Sequence, residues 1–312
     1  MQIFRGLSNF TNSISPCSLT IGNFDGIHKG HHQIIQNTIN RAKQKGLKSA
    51  ILTFCEHPIK LFKPESYSHY LIHSLSQKIK FLQEFELDYL FILPFNNKIA
   101  NITAENFVNN ILIDKIKMQD LVVGHDFIFG KNREGNFYFL SSLARKFNFT
   151  IDQVSAVSGE EGIFSSSLTR DLIRQGRVSE VSAILDKDFQ IEGTVHRGLK
   201  NGRKIGFPTL NVAVKPFQIM PKYGVYESEI FIYTLNQSFK SVTNFGVRPS
   251  INDDKTPLYE THIPKASDLV NESLYGTKIT LKLKNFIRSE QKFDSLDDLR
   301  RQIEEDIKNC DY

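Results

Sequence analysis

Cysteine is scarce in this 312-residue chain: only Cys17, Cys55 and Cys310, none of them in a Cys-x-x-Cys pair. An odd count leaves one thiol over in any disulfide scheme, so free thiols in a reducing compartment are the expectation. Long apolar runs are missing too. No stretch approaches the ~18 residues that a membrane span needs. The opening Met-Gln-Ile-Phe-Arg-Gly-Leu-Ser-Asn has no basic region followed by an apolar one, as a secretory leader would. No membrane is therefore expected, and the cytoplasm is the expected location. Charge of one sign is barely in surplus: 39 Lys and Arg against 34 Asp and Glu give a formal net charge of +5. No basic stripe with interleaved aromatics is present, so nucleic acid is not an expected partner. The mild positive balance suits small anionic substrates such as nucleotides. With 40% hydrophobic and 23% charged residues, wholesale disorder is excluded, and the length allows about two domains.

The first half of the chain alternates strand-like and helix-like segments. Apolar runs over 18–21, 49–54, 89–93 and 120–123 read as strands. Residues 31–45, 77–85 and 104–112 carry helical spacing. Such alternation predicts a doubly wound parallel sheet covered on both faces, with ligands at the carboxyl ends of its strands. Gly22 and Gly124 fall at two such ends. After short helix candidates over 169–175 and 179–185 the pattern changes. Strand-like pieces over 189–195, 225–233, 241–244 and 278–283, separated by turn signals, predict an antiparallel sheet closed into a small barrel. Residues 296–307 close the chain as an amphipathic helix. The domains are expected at 1–186 and 187–312.

Two stretches carry the chemistry. The first is Gly22-Asn23-Phe24-Asp25-Gly26-Ile27-His28-Lys29-Gly30-His31. Its glycines let the backbone turn tightly, and the following helix N-terminus favours anions. His28 and His31 share a helix face, where two imidazoles can donate to phosphate oxygens and stabilise charge on a departing pyrophosphate. Plain surface histidines at a helix start are the competing reading. Neither a nearby cysteine nor a suitably spaced third histidine supports zinc.

The second stretch runs from Gly193 through Gly198 and Gly202 to Arg203-Lys-Ile-Gly206-Phe-Pro208-Thr209-Leu-Asn211. Phosphoryl transfer asks for phosphate positioning, a metal bridge and a group that orients the nucleophile. The glycines supply turns, and Thr209 and Asn211 offer oxygens that suit Mg²⁺. Arg203 is either a counter-charge to phosphate or an anchor of the loop. A hairpin turn capped by Thr and Asn competes with this reading. Further on, Glu260 is the candidate base for a substrate hydroxyl, with a solvent-facing strand glutamate as the alternative.

The first stretch resembles the His-x-Gly-His signature of the nucleotidylyltransferase superfamily, which has a Rossmann-like fold and transfers a nucleotidyl group with release of pyrophosphate. That superfamily's second signature is similar to Ser165-Ser166-Ser167-Leu168-Thr169-Arg170, which implies that the serines and Arg170 serve the ATP phosphates. The loop Gly124-His125-Asp126-Phe127-Ile128-Phe129-Gly130 resembles one that binds the flavin acceptor in one branch, implying Asp126, Phe127 and Phe129 as flavin-binding, although packing of the two rings competes. From Gly193 to Asn211, with Asn244-Phe-Gly246-Val-Arg-Pro249-Ser250, Glu260-Thr-His262, Leu274-Tyr-Gly276 and Arg288…Lys292-Phe293, the chain looks like riboflavin kinase. That resemblance implies ATP on the first strand and loop, Mg²⁺ on Thr209 and Asn211, Glu260 as base, and Arg288 as flavin-binding.

Together the two modules resemble the bacterial bifunctional riboflavin kinase/FAD synthetase family, over about residues 3–307. The implied substrates are riboflavin, FMN and ATP, with Mg²⁺. Two departures stand out. Leu168 takes the place of an arginine in the second signature, which implies weaker nucleotide affinity in the first module. Ser250 replaces a threonine and keeps the hydroxyl. Two rival readings stay open: a kinase whose transferase half is degraded, and a flavin- or RNA-binding regulator without turnover. Self-association, at most weak, is also left open.

Overall fold

The structure, a computed structural model, describes residues 1–10, 14–198, 201–247 and 257–310. The chain divides into two compact units, Met1–Ser166 and Ser167–Tyr312.

In the first unit, six strands form one parallel sheet: β1 (Gln2–Arg5), β2 (Cys17–Ile21), β3 (Lys48–Phe54), β4 (Tyr89–Leu93), β5 (Met118–Gly124) and β6 (Thr150–Val154), in the order β1-β4-β3-β2-β5-β6. The runs Cys-Ser-Leu-Thr-Ile and Tyr-Leu-Phe-Ile-Leu are buried at every position, as strands covered on both faces must be. Their side chains alternate between two cores. Leu19, Leu52, Phe91 and Leu121 lie in one, and Ile51, Leu90 and Ile92 in the other. The helix α1 (Lys29–Lys45) adds Ile35 and Ile39 to the second core, and α2 (Leu75–Leu82) adds Phe81 and Leu82. The helix α3 (Phe137–Phe147) brings Leu140 and Leu143 to the first. Gly46, in left-handed backbone, ends α1 with its N–H bonded back to Ala42 and Lys43. The chain leaves β2 for β3 and β4 on one side and returns to β5 and β6 on the other. The carboxyl ends of β2 and β5 therefore form the switch point where such sheets bind ligands.

At the opposite, amino-terminal edge of this sheet Asp120 is fully buried and saturated. It accepts from Ser18 Oγ at 2.6 Å, Arg41 Nε at 2.9 Å, Lys45 Nζ at 2.6 Å and the Thr150 hydroxyl. These donors outweigh the effect of burial and hold its carboxyl well below the usual carboxylate range.

The second unit begins one residue into the helix α4 (Ser166–Gln175), which is followed by α5 (Val178–Leu185). Compactness sets the chain from Ser167 onward with the barrel, whereas the boundary expected near 186 sets both helices with the sheet. Six antiparallel strands then close into a barrel: β7 (Phe189–His196), β8 (Thr209–Ala213), β9 (Gly224–Ile232), β10 (Gln237–Val247), β11 (Pro257–His262) and β12 (Lys278–Arg288), in the order β8-β11-β10-β9-β12-β7. Tyr226, Phe245 and Tyr259 fill its interior. A buried hydroxyl chain, Ser228–Thr243–Thr261 at 2.8 and 2.9 Å, fixes the register of β9, β10 and β11. The terminal helix α6 (Leu296–Lys308) is capped by Ser295, whose hydroxyl accepts from the Asp298 N–H.

The parallel sheet, the barrel and the terminal helix expected from the sequence are all present. Several elements escaped the sequence. The edge strand β1 has only four residues, and the edge strand β6, Thr-Ile-Asp-Gln-Val, lacks an apolar run and buries only Val154. In α3 the aromatic-rich Phe-Tyr-Phe-Leu blurs the helical period. β8 begins inside the Pro-Thr-Leu-Asn run that also reads as a turn. Residues 104–112 are helical, but Ala104–Asn106 passes into a π-helix, Phe107–Ile113.

Candidate active sites

The first site forms at the carboxyl end of β2. Gly22 admits the Phe24 ring, which would lie 3.1 Å from any Cβ there. The chain then enters α1 with His28 at its N-cap and His31 in its first turn. The two imidazoles stack, with ring centroids 3.7 Å apart and planes inclined by 27°. Gly30 makes this possible, because a Cβ would meet His28 Nδ1 at 3.0 Å. Burial, and after it the neighbouring His28, His32 and Lys78, hold His31 well below the usual imidazole range, so the ring is neutral. Its Nδ1 and the Asn23 Oδ1 are buried without a hydrogen-bond partner among the described residues. Buried polar atoms are rarely left without a partner, so these two are open to a ligand or a water. One edge of the sheet is thus saturated around Asp120, and the other keeps donors and acceptors at a helix N-terminus.

The other residues expected at this site divide. Asp25 is buried, and its carboxylate accepts from the Ile72 and His73 N–H groups, which makes it a brace of the turn. Ser166 Oγ donates to the Asp25 carbonyl at 2.7 Å, joining the serine signature to the glycine-rich turn. Ser165 lies in the first unit, which ends at Ser166, while Ser167 and the buried Arg170 belong to the second by compactness. Phe127 and Phe129 stack at 5.4 Å and pack against the first core, as the packing alternative describes, and the Asp126 side chain is 84% exposed. Lys78 carries no motif signal in the sequence, yet it is buried and donates to the Asn23 carbonyl at 2.6 Å.

The second site is written in strand register. Asn211 on β8 pairs with Glu260 on β11; Glu260 pairs with Asn244 on β10; Asn244 pairs with Val225 on β9; and Val225 pairs with Arg288 on β12. Cross-strand partners point to the same face, so these residues form one row on the barrel's outer face. Two residues along lies the row of Thr209, His262 and Val242. Both rows line a cavity of about 450 Å³ whose other wall carries Phe293, Leu296, Leu299 and Ile303. A smaller hollow, lined by Gly198, Arg203, Pro208, Thr209, Asn211 and Tyr275, adjoins it. One side of the cavity is polar and oxygen-rich, and the other is apolar enough for a flat ring system.

Local contacts hold this geometry. A Cβ on Gly198 would lie 2.2 Å from Asn211 Nδ2, so only glycine lets the loop close over that amide. Gly193 plays the same part beside Val212, at 2.3 Å, and Gly202 beside the Phe207 carbonyl, at 2.3 Å. His262 Nδ1 lies 2.8 Å from the Pro208 carbonyl oxygen, fastening the strand that carries Glu260 to the turn before Thr209. Arg203 donates to the Val270 carbonyl at 3.2 Å and also lines the smaller hollow. Arg288 lines the cavity and is gripped by the buried Asp306 through two bonds of 2.8 and 2.7 Å. Glu290 shares the cavity with Glu260; burial and then the Glu260 charge push its carboxyl up. Among the described residues no cluster of three or more His, Cys, Asp and Glu side chains could hold a metal. The hydroxyl of Thr209 and amide oxygen of Asn211 suit a hard cation that takes its remaining ligands from phosphates and water. Pro249 and Ser250 lie outside the described residues.

Comparison with known proteins agrees with this division. The FAD synthetase family profile matches residues 11–168, and the riboflavin kinase profile matches residues 185–312. Proteins described as bifunctional riboflavin kinase/FMN adenylyltransferase are similar over nearly the whole chain. The Haemophilus influenzae protein is 32% identical over 99% of this chain and 98% of its own. The Escherichia coli K12 protein is 33% identical over 98% and 96%. A Streptococcus pneumoniae crystal structure described as a macrolide-efflux protein superposes with a TM-score of 0.85 at 26% identity, over 99% of this chain and 98% of that one. No helix among the described residues is long and apolar enough to cross a membrane.

Proposed function

This chain belongs to the bifunctional riboflavin kinase/FMN adenylyltransferase family, and we infer that its barrel unit phosphorylates riboflavin with ATP while its parallel-sheet unit adenylylates the resulting FMN to FAD. It is an enzyme of flavin biosynthesis, a kinase and a nucleotidyltransferase in one polypeptide. The observation that carries the kinase half is the row Asn211–Glu260–Asn244, which sets a carboxylate between two amides on the wall of a cavity with an apolar opposite side.

In the kinase site Glu260 accepts the proton of the riboflavin 5′-hydroxyl as that oxygen bonds to the γ-phosphorus of ATP and ADP leaves. Thr209 and Asn211 would hold Mg²⁺, which when bound neutralises charge on the phosphates. Gly193, Gly198 and Gly202 let the backbone approach the nucleotide. The wall of Phe293, Leu296 and Leu299 takes the flavin ring, with Arg288 at its edge.

In the transferase site the FMN phosphate attacks the α-phosphorus of ATP, and pyrophosphate leaves. A phosphate nucleophile is already ionised, so no general base is required, which fits a site of histidines without an obvious catalytic carboxylate. The neutral His31 donates one N–H, and His28 beside it faces the same charge. Gly22, Asn23, Phe24 and Gly30 shape the turn, and Ser166 ties it down. The roles of Ser165, Ser167 and Arg170 rest on the sequence signature, and those of Asp126, Phe127 and Phe129 on the resemblance of their loop. Three unbridged cysteines support a cytoplasmic setting.

Chromatography of the products from riboflavin, ATP and Mg²⁺ tests this. FMN followed by FAD is expected. FMN alone would restrict the chain to kinase activity, as Leu168 in place of an arginine leaves open, and neither product would overturn the proposal.

A further inference from the structure

The turn between β2 and α1 holds two residues in costly backbone conformations. Phe24 has φ 48° and Ile27 has φ 43°. Left-handed backbone is unfavourable for a bulky side chain and more so for a β-branched one, and it persists only where the surroundings over-determine it. Three anchors do so here. The Asp25 carboxylate accepts from the Ile72 and His73 N–H groups at 3.1 Å. Ser166 Oγ donates to the Asp25 carbonyl at 2.7 Å. The third anchor is Lys78 of α2, whose Nζ donates to the Asn23 carbonyl at 2.6 Å and the Phe54 carbonyl at 3.3 Å.

Lys78 is unusual among these. It is only 8% exposed, and its described partners are two carbonyls and the Thr53 hydroxyl, with no carboxylate among them. A lysine so buried is normally paired with a negative charge. The carbonyl it grips at closest range belongs to Asn23, which opens the phosphate-facing turn.

We propose that Lys78 is a positioning residue for adenylyl transfer: it clamps the Asn23 carbonyl and so the strained turn, and places a positive charge one peptide away from where the ATP phosphates bind. This rests on the transferase reading of that site. The titratable groups that act on it are Asp25 on the turn, Cys55 after β3, and His31 on α1. Burial brings the Lys78 pKa down to about 8, with Asp25 and Cys55 opposing it, so the ammonium gives way to the amine as pH rises through that value.

The test follows FAD formation from FMN at varied ATP for the full-length wild type, Lys78→Met and Lys78→Gln, from below to above that pH. Riboflavin phosphorylation by the same preparations serves as the control. In Lys78→Met the KM for ATP rises about tenfold or more, as loss of a charged hydrogen bond implies, while kcat changes less and the kinase is untouched. The wild-type KM for ATP climbs as Lys78 loses its proton, and in Lys78→Gln, which keeps a neutral donor, it is flat. A folded Lys78→Met with wild-type KM, or a Lys78→Gln enzyme with the wild-type pH dependence, would overturn the proposal. If Lys78→Met does not fold, the Lys78→Gln profile decides. A wild type that makes no FAD from FMN would instead sink the transferase reading.

Discussion

The two sites reach their geometry by different routes. In the parallel-sheet unit the central groups are consecutive in sequence: Gly22 to His31 leave one strand, turn and enter one helix, and the helix start aims them. In the barrel, Thr209, Asn211, Asn244, Glu260 and Arg288 come from four strands, and only cross-strand register makes them neighbours. A local site is held by backbone strain and its braces. A distributed site is held by the sheet itself, so a change far along the chain, at a glycine or a register-fixing hydroxyl, reaches it directly.

This contrast predicts separable damage. The largest effect is expected from Glu260→Gln, which removes the carboxylate proposed as the base: FMN formation falls about 10³-fold, while FAD formation from supplied FMN is unchanged in a coupled pyrophosphate assay. Next, His28→Ala removes one of two stacked imidazoles and lowers FAD formation by about 10²-fold, with FMN accumulating from riboflavin. A wild-type FAD yield would take His28 out of the mechanism. Gly198→Ala sharpens the comparison from the distributed side. The new Cβ displaces the Asn211 amide, and kinase kcat/KM falls by up to about 10²-fold, with the transferase as internal control. An intact kinase in that variant would show that the loop does not position Asn211.

The smallest effect on catalysis belongs to Asp120. Because folding lowers its pKa, its stabilisation is full above the unfolded carboxyl value of about 3.9 and is lost as the pH falls below it. Asp120→Asn destabilises the first unit by on the order of 3 kcal/mol at neutral pH, and its thermal midpoint varies less with acid than that of the wild type. Equal acid sensitivity in the two proteins would show that the network around Asp120 is not what titrates.

The same contrast explains what could be read from the sequence. The His28-Lys-Gly-His31 run was legible because its spacing is its geometry: a helix start places both rings on one face and explains the glycine between them. The parallel sheet followed from alternating periods. β8 and β11 were harder. Pro208-Thr-Leu-Asn211 reads as a turn as readily as a strand, and nothing in a single chain announces that Asn211 and Asn244 flank Glu260. Lys78 was invisible for a physical reason, since a helix lysine is ordinarily solvated and only the fold shows it closing on the Asn23 carbonyl. Asp25 was read as part of the nucleotide site, and the structure adds that its carboxylate is bonded to the Ile72 and His73 backbone.

The central claim is that two independent chemistries share one chain. Its most direct test is the product pattern of Glu260→Gln and His28→Ala side by side, each given riboflavin and ATP and then FMN and ATP with Mg²⁺. The expected result is a crossed one: Glu260→Gln makes FAD only from FMN, and His28→Ala makes FMN from riboflavin and stops there. If either substitution abolished both reactions in a folded protein, the two sites would not be independent and the claim would fail.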